Sequence, residues 1–192
     1  MPRRLGQALM VFGVVGFLST FCLPMAGTWL SGVELPTFFE TTTIALPDGG
    51  RLTATMPTQR VQRYDRDGRF QLGWFVAARG GHFAIGLTQD GKVAVCTGRG
   101  RDLQLYDFDG RLIENHRPCL ANGRPLPAIL QPSELVLAGS PLQRVAVAPP
   151  PAPSLSAWLL VPYWHPFVAW IFGFAGAVML KLSSSRAARQ PG

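Results

Sequence analysis

The stretch "VQRYDRDGRF" at residues 61–70 returns 42 residues later as "LQLYDFDGRL" at 103–112. Aligned without a gap, the longer stretches 48–70 and 90–112 share nine identical residues, where ordinary composition gives about one or two. Each stretch places short runs of alternating apolar and polar residues on both sides of an Asp-Gly dipeptide, which is typical of strands joined by hairpin turns. The sequence therefore predicts a β domain built from copies of one small unit.

A further step of 42 residues falls on "SELVLAGSPLQRVAV" at 133–147, a degenerate third copy that stops where a proline run begins. A period of about 40 to 45 residues made of short strands is the length of one β-propeller blade. We therefore predict a β-repeat domain over residues 31–147. Its predicted units are 43–84, 85–126 and 127–147.

The order of the conserved features within each unit carries a family resemblance. An Asp-Gly turn and a strand are followed by a second strand that ends in Y-D-x-D-G-R, and this resembles the NHL-type and related six-bladed propeller repeats over residues 43–147. The resemblance implies a partial, propeller-like array of small sheets. Propellers usually have four or more blades, so three units imply either a sandwich-like β array or completion by another chain, for example a homodimer with six units.

Two apolar runs flank this domain. The first follows Arg3 and Arg4 and has no charged side chain from Leu5 to Leu30, and the second ends at Lys181. A bilayer takes roughly 20 apolar residues, so each run predicts a transmembrane helix, and the fold class is a membrane-anchored all-β protein. The predicted segments are a first transmembrane helix in 1–30, a Pro-rich linker at 148–156, a second transmembrane helix at 157–182 and a basic tail at 183–192.

The first run has an alternative interpretation as a cleaved signal peptide. Signal peptides have a shorter apolar region and end at a small-x-small site, whereas this run is longer and its best cut, after "PMA", puts Pro24 where a small residue is needed. An uncleaved anchor is the favoured reading. With basic residues before the first helix and after the second, the positive-inside rule predicts both termini in the cytoplasm of a bacterial inner membrane and the β domain in the periplasm.

The high pI of about 10.2 does not indicate nucleic-acid binding. The two flanks hold five of the 18 Lys and Arg residues and none of the 11 Asp and Glu residues. The middle domain therefore has a net charge of only +2, with its arginines interspersed among acidic and apolar residues. This distribution favours a solvated sheet surface over a phosphate-binding patch, and the predicted partners are the lipid bilayer and another protein, with no nucleic acid.

Cysteine use fits an oxidising compartment. Cys96 and Cys119 lie in the predicted periplasmic domain, where two thiols can form a disulfide, which we expect to contribute about 3 kcal/mol. The alternative is two separate buried thiols. Cys22 lies in the first apolar run and is interpreted as a small packing residue.

No catalytic constellation is recognisable in the sequence. It has no nucleophile elbow, no H-E-x-x-H and no Gly-rich phosphate loop, and its D-x-D-G turns lack the distal Glu of a calcium loop. We predict no enzyme activity, no cofactor and no metal. The candidate binding residues are Trp74, His82 and His116 for a convergent pocket, and His165, an ionisable residue in the second apolar run.

Helix pairing is suggested by glycines in both apolar runs, although their spacing is not G-x-x-x-G. The function predicted from the sequence is a non-catalytic scaffold or accessory subunit that displays the β-repeat domain to another envelope protein. The alternatives are a periplasmic sensor or small-ligand-binding module, and a subunit of a membrane electron-transfer enzyme that uses His165.

Overall fold

The structure is a computed structural model, and it describes residues 2–22, 28, 30–37, 41–55, 58–99, 102–116, 119–121, 124–125, 146–161 and 166–187. The chain divides into two compact units. One combines the N-terminal segment up to Leu23 with the C-terminal segment from Leu155. The other, residues 24–154, is the β domain.

The described residues of the first unit form the helices α1 (Pro2–Cys22), α2 (Leu155–Leu159) and α3 (Pro166–Ala187). The described part of the predicted second transmembrane segment contains α2 and α3, and α3 begins at Pro166, since proline is tolerated in the first turn of a helix. By length and composition, one helix among the described residues can cross a membrane, the stretch Pro166–Ser185 with a mean hydropathy of 1.6. Over its described residues, α1 does not pass the same test.

Helices α1 and α3 pack closely through glycine. A Cβ atom added to Gly13 would collide with the backbone of Gly173, and one added to Gly176 would lie 2.7 Å from the Gly6 carbonyl oxygen. Beside this contact, the rings of Phe12 and Phe172 meet edge to face with centroids 5.4 Å apart. The structure therefore confirms that the glycines bring the two helices together. Ala169, four residues before Gly173 and fully buried, completes a small-xxx-small spacing that an inspection of glycines alone misses.

The β domain contains two four-stranded antiparallel sheets with consecutive strand order. Sheet 1 comprises β1 (Thr41–Ala45), β2 (Arg51–Thr55), β3 (Arg60–Tyr64) and β4 (Phe70–Phe75). Sheet 2 comprises β5 (Phe83–Leu87), β6 (Val93–Thr97), β7 (Leu103–Tyr106) and β8 (Leu112–His116). A short two-stranded pair follows, β9 (Leu120–Ala121) with β10 (Arg124–Pro125).

The 42-residue period holds at the level of single hydrogen bonds. In sheet 1, Asp65 Oδ1 accepts from the amides of Asp67 and Arg69 at 3.0 and 2.8 Å, and in sheet 2 Asp107 Oδ1 accepts from the equivalent amides at 3.0 and 2.7 Å. The glycines of these two turns have φ near +80°, which glycine adopts without strain. Both units also carry a bulge at the same place, before Tyr64 and before Tyr106. The predicted Asp-capped hairpin turn is therefore present in both units.

Each sheet has two chemically different faces. The face that carries Gln62 and Tyr64 in sheet 1, and Gln104 and Tyr106 in sheet 2, is called the Gln face here. The opposite face of sheet 1 carries Ile44, Leu52, Ala54, Val61 and Trp74, which belong to one buried apolar cluster shared by both sheets. This apolar face of sheet 1 packs on the Gln face of sheet 2.

The end of the predicted third unit and the residue after it lie against sheet 1. The amide of Ala45 donates to Ala146 O, the amide of Ala148 donates to Thr43 O, and Val147 forms an antiparallel bridge with Ile44. Residues 126–145, which hold most of the predicted third unit, lie outside the described residues. The described end of that unit therefore extends sheet 1 beyond β1.

Candidate functional site

The contact between the two sheets is built around Trp74. Its side chain is fully buried, its ring centroid lies 6.0 Å from that of Tyr106, and a Cβ atom at Gly110 would lie 2.7 Å from its ring. Beside it, Gln104 Nε2 donates to the carbonyl of Ala77, which follows β4, at 3.4 Å. Trp74 is therefore a packing residue between the sheets.

The Gln face of sheet 1 binds main chain instead of another sheet. Gln62 Oε1 accepts from the amide of Leu35 at 2.8 Å, and Gln62 Nε2 donates to the carbonyl of the same residue at 3.0 Å. Tyr64 Oη donates to Glu34 Oε1 at 3.1 Å, and Glu34 Oε2 accepts from the amide of Ser154 at 3.2 Å. Residues 30–37 and the end of the Pro-rich linker are thus held on the same sheet.

The buried side chain of Arg60 also holds residues 30–37 on sheet 1. Its guanidinium is fully buried, and Nη2 donates to Leu30 O at 2.7 Å and to Val33 O at 2.8 Å. The guanidinium carbon lies 4.8 Å from the centre of the Phe75 ring, a cation–π geometry. Burial lowers the pKa of Arg60 to about 10. An arginine that is buried against carbonyls and an aromatic ring is a structural anchor for the segment above it.

A shallow cavity of about 430 Å³ lies at the hairpin end of sheet 1. Its lining has both signs of charge, and Arg63 Nη2 pairs with Asp48 Oδ2 at 3.0 Å. The Gly50 amide, and then the Arg63 guanidinium, hold the pKa of Asp48 below its usual range. The lining residues are Asp48, Gly50, Arg63, Tyr64, Asp65, Arg66, Gln71 and Leu72.

The equivalent place in sheet 2 has different chemistry. Lys92 occupies the position of Gly50, and its ammonium lies 2.9 Å from Asp90 Oδ2 and 3.8 Å from Glu114 Oε1. Hydrogen bonds first from Thr88 and then from Lys92 lower the pKa of Asp90, and Asp90 raises the pKa of Lys92. The side chain that fills this end of sheet 2 is therefore absent in sheet 1.

The three candidate residues of the predicted convergent pocket do not meet. Trp74 lies beside the turn at Gly110, whereas His82 and His116 lie at the other end of sheet 2, where the amide of Gly98 donates to His82 O. His82 precedes β5 and His116 ends β8, so three strand spacings, about 14 Å, separate them. The side chain of His116 and the whole of His165 lie outside the described residues.

No group of three His, Cys, Asp or Glu side chains that could hold a metal ion occurs among the described residues. The first carboxylate of each D-x-D-G turn, that of Asp65 or Asp107, accepts from backbone amides of its own loop. The turns therefore have a structural role in both sheets.

The predicted disulfide is present. Cys96, the fourth residue of β6, is bonded to Cys119, with a Cα–Cα distance of 5.8 Å. Both cysteines are buried, and the equivalent positions in unit 1 are Ala54 and Ala77. Unit 2 is thus cross-linked at a place where unit 1 has two alanines, of which Ala54 is buried and Ala77 is exposed.

The outermost strands of the two sheets differ in exposure. The end of β4 is buried, and the amide of Gly73 donates to Ser31 O at 2.9 Å. In β8, by contrast, Leu112 is 48% exposed and Ile113 is 44% exposed. Because their side chains point to opposite faces of the strand, β8 presents apolar surface on both sides.

No family model and no curated protein matches this chain. The residues that organise the site are the Gln–Tyr pairs of β3 and β7, to which the sequence pattern assigned no role. A signal was available, since both residues are identical in the two repeats.

Proposed function

We propose that this protein is a non-catalytic, two-pass inner-membrane scaffold or accessory subunit, whose periplasmic β domain binds another envelope protein through sheet 2. Helices α1 and α3 are the two membrane anchors in this proposal, with both termini in the cytoplasm. The propeller-like interpretation of the repeat belongs to the same proposal. It is supported by the face-to-face packing of two equivalent sheets.

The observation that carries the proposal is that the two outer strands, β4 and β8, differ in how far their apolar residues are exposed. Sheet 1 is occupied on its Gln face by the chain segments that lead to the helices, whereas β8 of sheet 2 exposes Leu112 and Ile113. Exposed apolar residues on an edge strand are suited to pairing with another polypeptide.

The test is purification of the full chain from its native membrane in a mild detergent, followed by mass spectrometry of the intact complex. We expect a stoichiometric foreign subunit with the wild type and its loss with Leu112→Glu combined with Ile113→Lys. Val147→Glu places a charge on a residue of sheet 1 that is 71% exposed, and this control should retain the subunit. A wild-type preparation without a foreign subunit, or a subunit that survives the β8 double variant, contradicts the proposal.

The orientation is tested separately with reporter fusions. A periplasm-dependent reporter fused at 126 should be active, and the same reporter fused to either terminus should be inactive. An active terminal fusion would contradict the two-pass arrangement.

A second candidate function is the binding of a small zwitterionic solute in the cavity of sheet 1. The supporting observation is that this cavity is lined by charges of both signs, with the Arg63 guanidinium beside the carboxylates of Asp48 and Asp65. A screen of amino acids for stabilisation of the full chain should find a solute whose effect is lost in Arg63→Met. An absence of any stabilising solute, or equal stabilisation of Arg63→Met, counts against it.

The third function, electron transfer through His165, requires a bound chromophore or metal. Visible absorption of the purified complex that disappears in His165→Ala would support it. A complex without such absorption and without a bound metal would eliminate it.

A further inference from the structure

The repeat provides an equivalent for the segment that covers sheet 1. Residues 72–79 form the end of β4 and the connection to β5, and they lie against the Gln face of sheet 2, where Gln104 donates to Ala77 O. The positions 42 residues earlier are 30–37. Gln62, the equivalent of Gln104, binds Leu35, the equivalent of Ala77. Residues 30–37 therefore lie on sheet 1 as residues 72–79 lie on sheet 2.

The Pro-rich linker takes the place of a large side chain that residues 30–37 do not have. The equivalent of Trp74 is Gly32, which has no side chain to place beside Gly68 as Trp74 is placed beside Gly110. Instead Pro151 is the nearest neighbour at that point, and a Cβ atom on Gly68 would lie 3.9 Å from Pro151 Cβ. Pro151 is itself buried, so the linker contributes to the closure of this surface.

The side chains of the two Gln faces also differ according to what each face contacts, main chain in sheet 1 and an apolar sheet face in sheet 2. Two positions on the Gln face of sheet 2 and the buried residue just before β7 are apolar or acidic, and their equivalents in sheet 1 are hydroxyl-bearing or basic. These pairs are Ile85 and Thr43, Val95 and Thr53, and Asp102 and Arg60. All three residues of sheet 1 are buried, with Thr43 and Thr53 hydrogen-bonded to each other at 3.0 Å. The Gln face of sheet 1 is therefore built to bind main chain and not an apolar sheet.

We propose that residues 30–37, together with Pro151, cap sheet 1 in the place of a preceding β unit, so that a second copy of this chain cannot stack there. A ring of six units from two chains requires the last sheet of one chain to pack on the Gln face of sheet 1 of the other. That packing would displace the segment and leave the Arg60 guanidinium and the Gln62 amide buried without their main-chain partners. Unpaired buried polar groups cost several times more than the net gain of one hydrogen bond.

This cap is independent of the scaffold function, because it concerns only contacts between copies of the same chain. Its test combines hydrogen exchange with the mass of the full chain in nanodiscs, at low and high protein concentration. We expect the amides of Leu35 and Gly73 to be protected in single chains at both concentrations. Protection of residues 30–37 that appears only in homodimers would overturn the proposal.

The decisive variant is Gln62→Leu, with Gln104→Leu as its matched control in sheet 2. Loss of the two bonds to Leu35 should accelerate exchange of its amide about 10- to 30-fold and allow homodimers at high concentration. Gln104→Leu should leave the Leu35 amide protected and the chain free of homodimers. A freed segment in a chain that stays monomeric would overturn the proposal.

If Gln62→Leu does not fold, Glu34→Ala gives the same readouts, since it removes the bonds to Tyr64 and Ser154 at the half-exposed end of the segment. Its expected result is faster exchange at 30–37 and homodimer formation. Unchanged mass with faster exchange would contradict the cap. A foreign subunit is distinguished from a second copy by its mass, so failure of the scaffold function leaves this result readable.

Discussion

The two sheets have the same strand order, the same Asp-Gly turns and equivalent bulges, yet different contacts hold them. Sheet 2 receives the apolar face of sheet 1 on its Gln face and has the Cys96–Cys119 disulfide within its own unit. Sheet 1 receives two main-chain segments, bound by Arg60, Gln62 and Tyr64. The backbone of the repeat is therefore fixed by its turns and alternation, whereas each copy has adapted its side chains to the neighbour it meets.

The largest expected effect is at the contact where the two sheets meet. Trp74→Ala removes a fully buried ring from between Gly110 and Tyr106, and large-to-small substitutions of this kind cost about 3–5 kcal/mol. We expect this loss in the unfolding free energy of the β domain, measured by hydrogen exchange in urea on the full chain in detergent. Leu112→Ala, on the exposed strand β8, should cost less than about 1 kcal/mol. Equal losses for the two variants would show that the sheets do not depend on this contact.

The second-largest effect is expected on removal of the disulfide, and the loss of stability should differ between the two sheets. Replacing Cys96 and Cys119 by Ser opens a loop with a sequence separation of 23 residues, which corresponds to a loss of about 3 kcal/mol. Because the bond lies in unit 2, amides of β6 and β7 should lose protection more than amides of β2 and β3. Hydrogen exchange resolved by strand measures this difference. An identical loss in both sheets would mean that they unfold as one cooperative body.

Substitutions at two equivalent glycines, compared with each other, measure the contribution of the packing between the sheets to stability. Gly68 and Gly110 occupy the same turn position with φ of 80° and 78°, so alanine at either position is strained by a similar amount. Only at Gly110 would the new methyl group also meet the Trp74 ring, at 2.7 Å. Gly110→Ala should therefore destabilise the domain by about 1–3 kcal/mol more than Gly68→Ala. Equal values from urea denaturation would contradict this position of Trp74.

The sequence predicted the repeated β unit because its signals are local. The Asp65 and Asp107 turns need a carboxylate that accepts two backbone amides and a glycine with positive φ, and these residues are read directly from the chain. For Cys96 and Cys119 the sequence leaves two interpretations open, a disulfide or two separate buried thiols. The helix contact was visible in the glycines, although Ala169 was not recognised as part of it.

The binding residues could not be predicted in the same way, because their roles depend on contacts between distant segments. Trp74 was assigned to a pocket with His82 and His116, and the structure places its ring between two sheets instead. The link between Gln62 and Leu35 joins residues 27 positions apart, and no local pattern indicates it. Tertiary packing determines which residues cover a sheet face. The position of a strand, by contrast, follows from the local alternation of apolar and polar residues.

The smallest expected effect compares the two equivalent tyrosines in alkaline solution. Burial raises the pKa of Tyr106 to about 12, and it raises the pKa of Tyr64 further, with the Glu34 carboxylate as the next cause. A raised pKa favours the neutral phenol in the folded state, so the stability it contributes is complete below the unfolded pKa near 10 and is lost as the pH rises through the folded pKa. Ultraviolet absorbance of tyrosinate should show a transition near pH 12 that disappears in Tyr106→Phe and persists in Tyr64→Phe.

Glu34→Gln then tests the difference between the two sheets directly. Without the carboxylate, the pKa of Tyr64 should fall toward that of Tyr106, which has no acidic partner of this kind, while the transition of Tyr106 stays in place. A shift of both transitions would mean that the variant has loosened the whole domain, and a shift of neither would mean that Glu34 does not sit on Tyr64 in solution. In the latter case the attachment of residues 30–37 to sheet 1 would rest on the bonds from Arg60, Gln62 and the Gly73 amide.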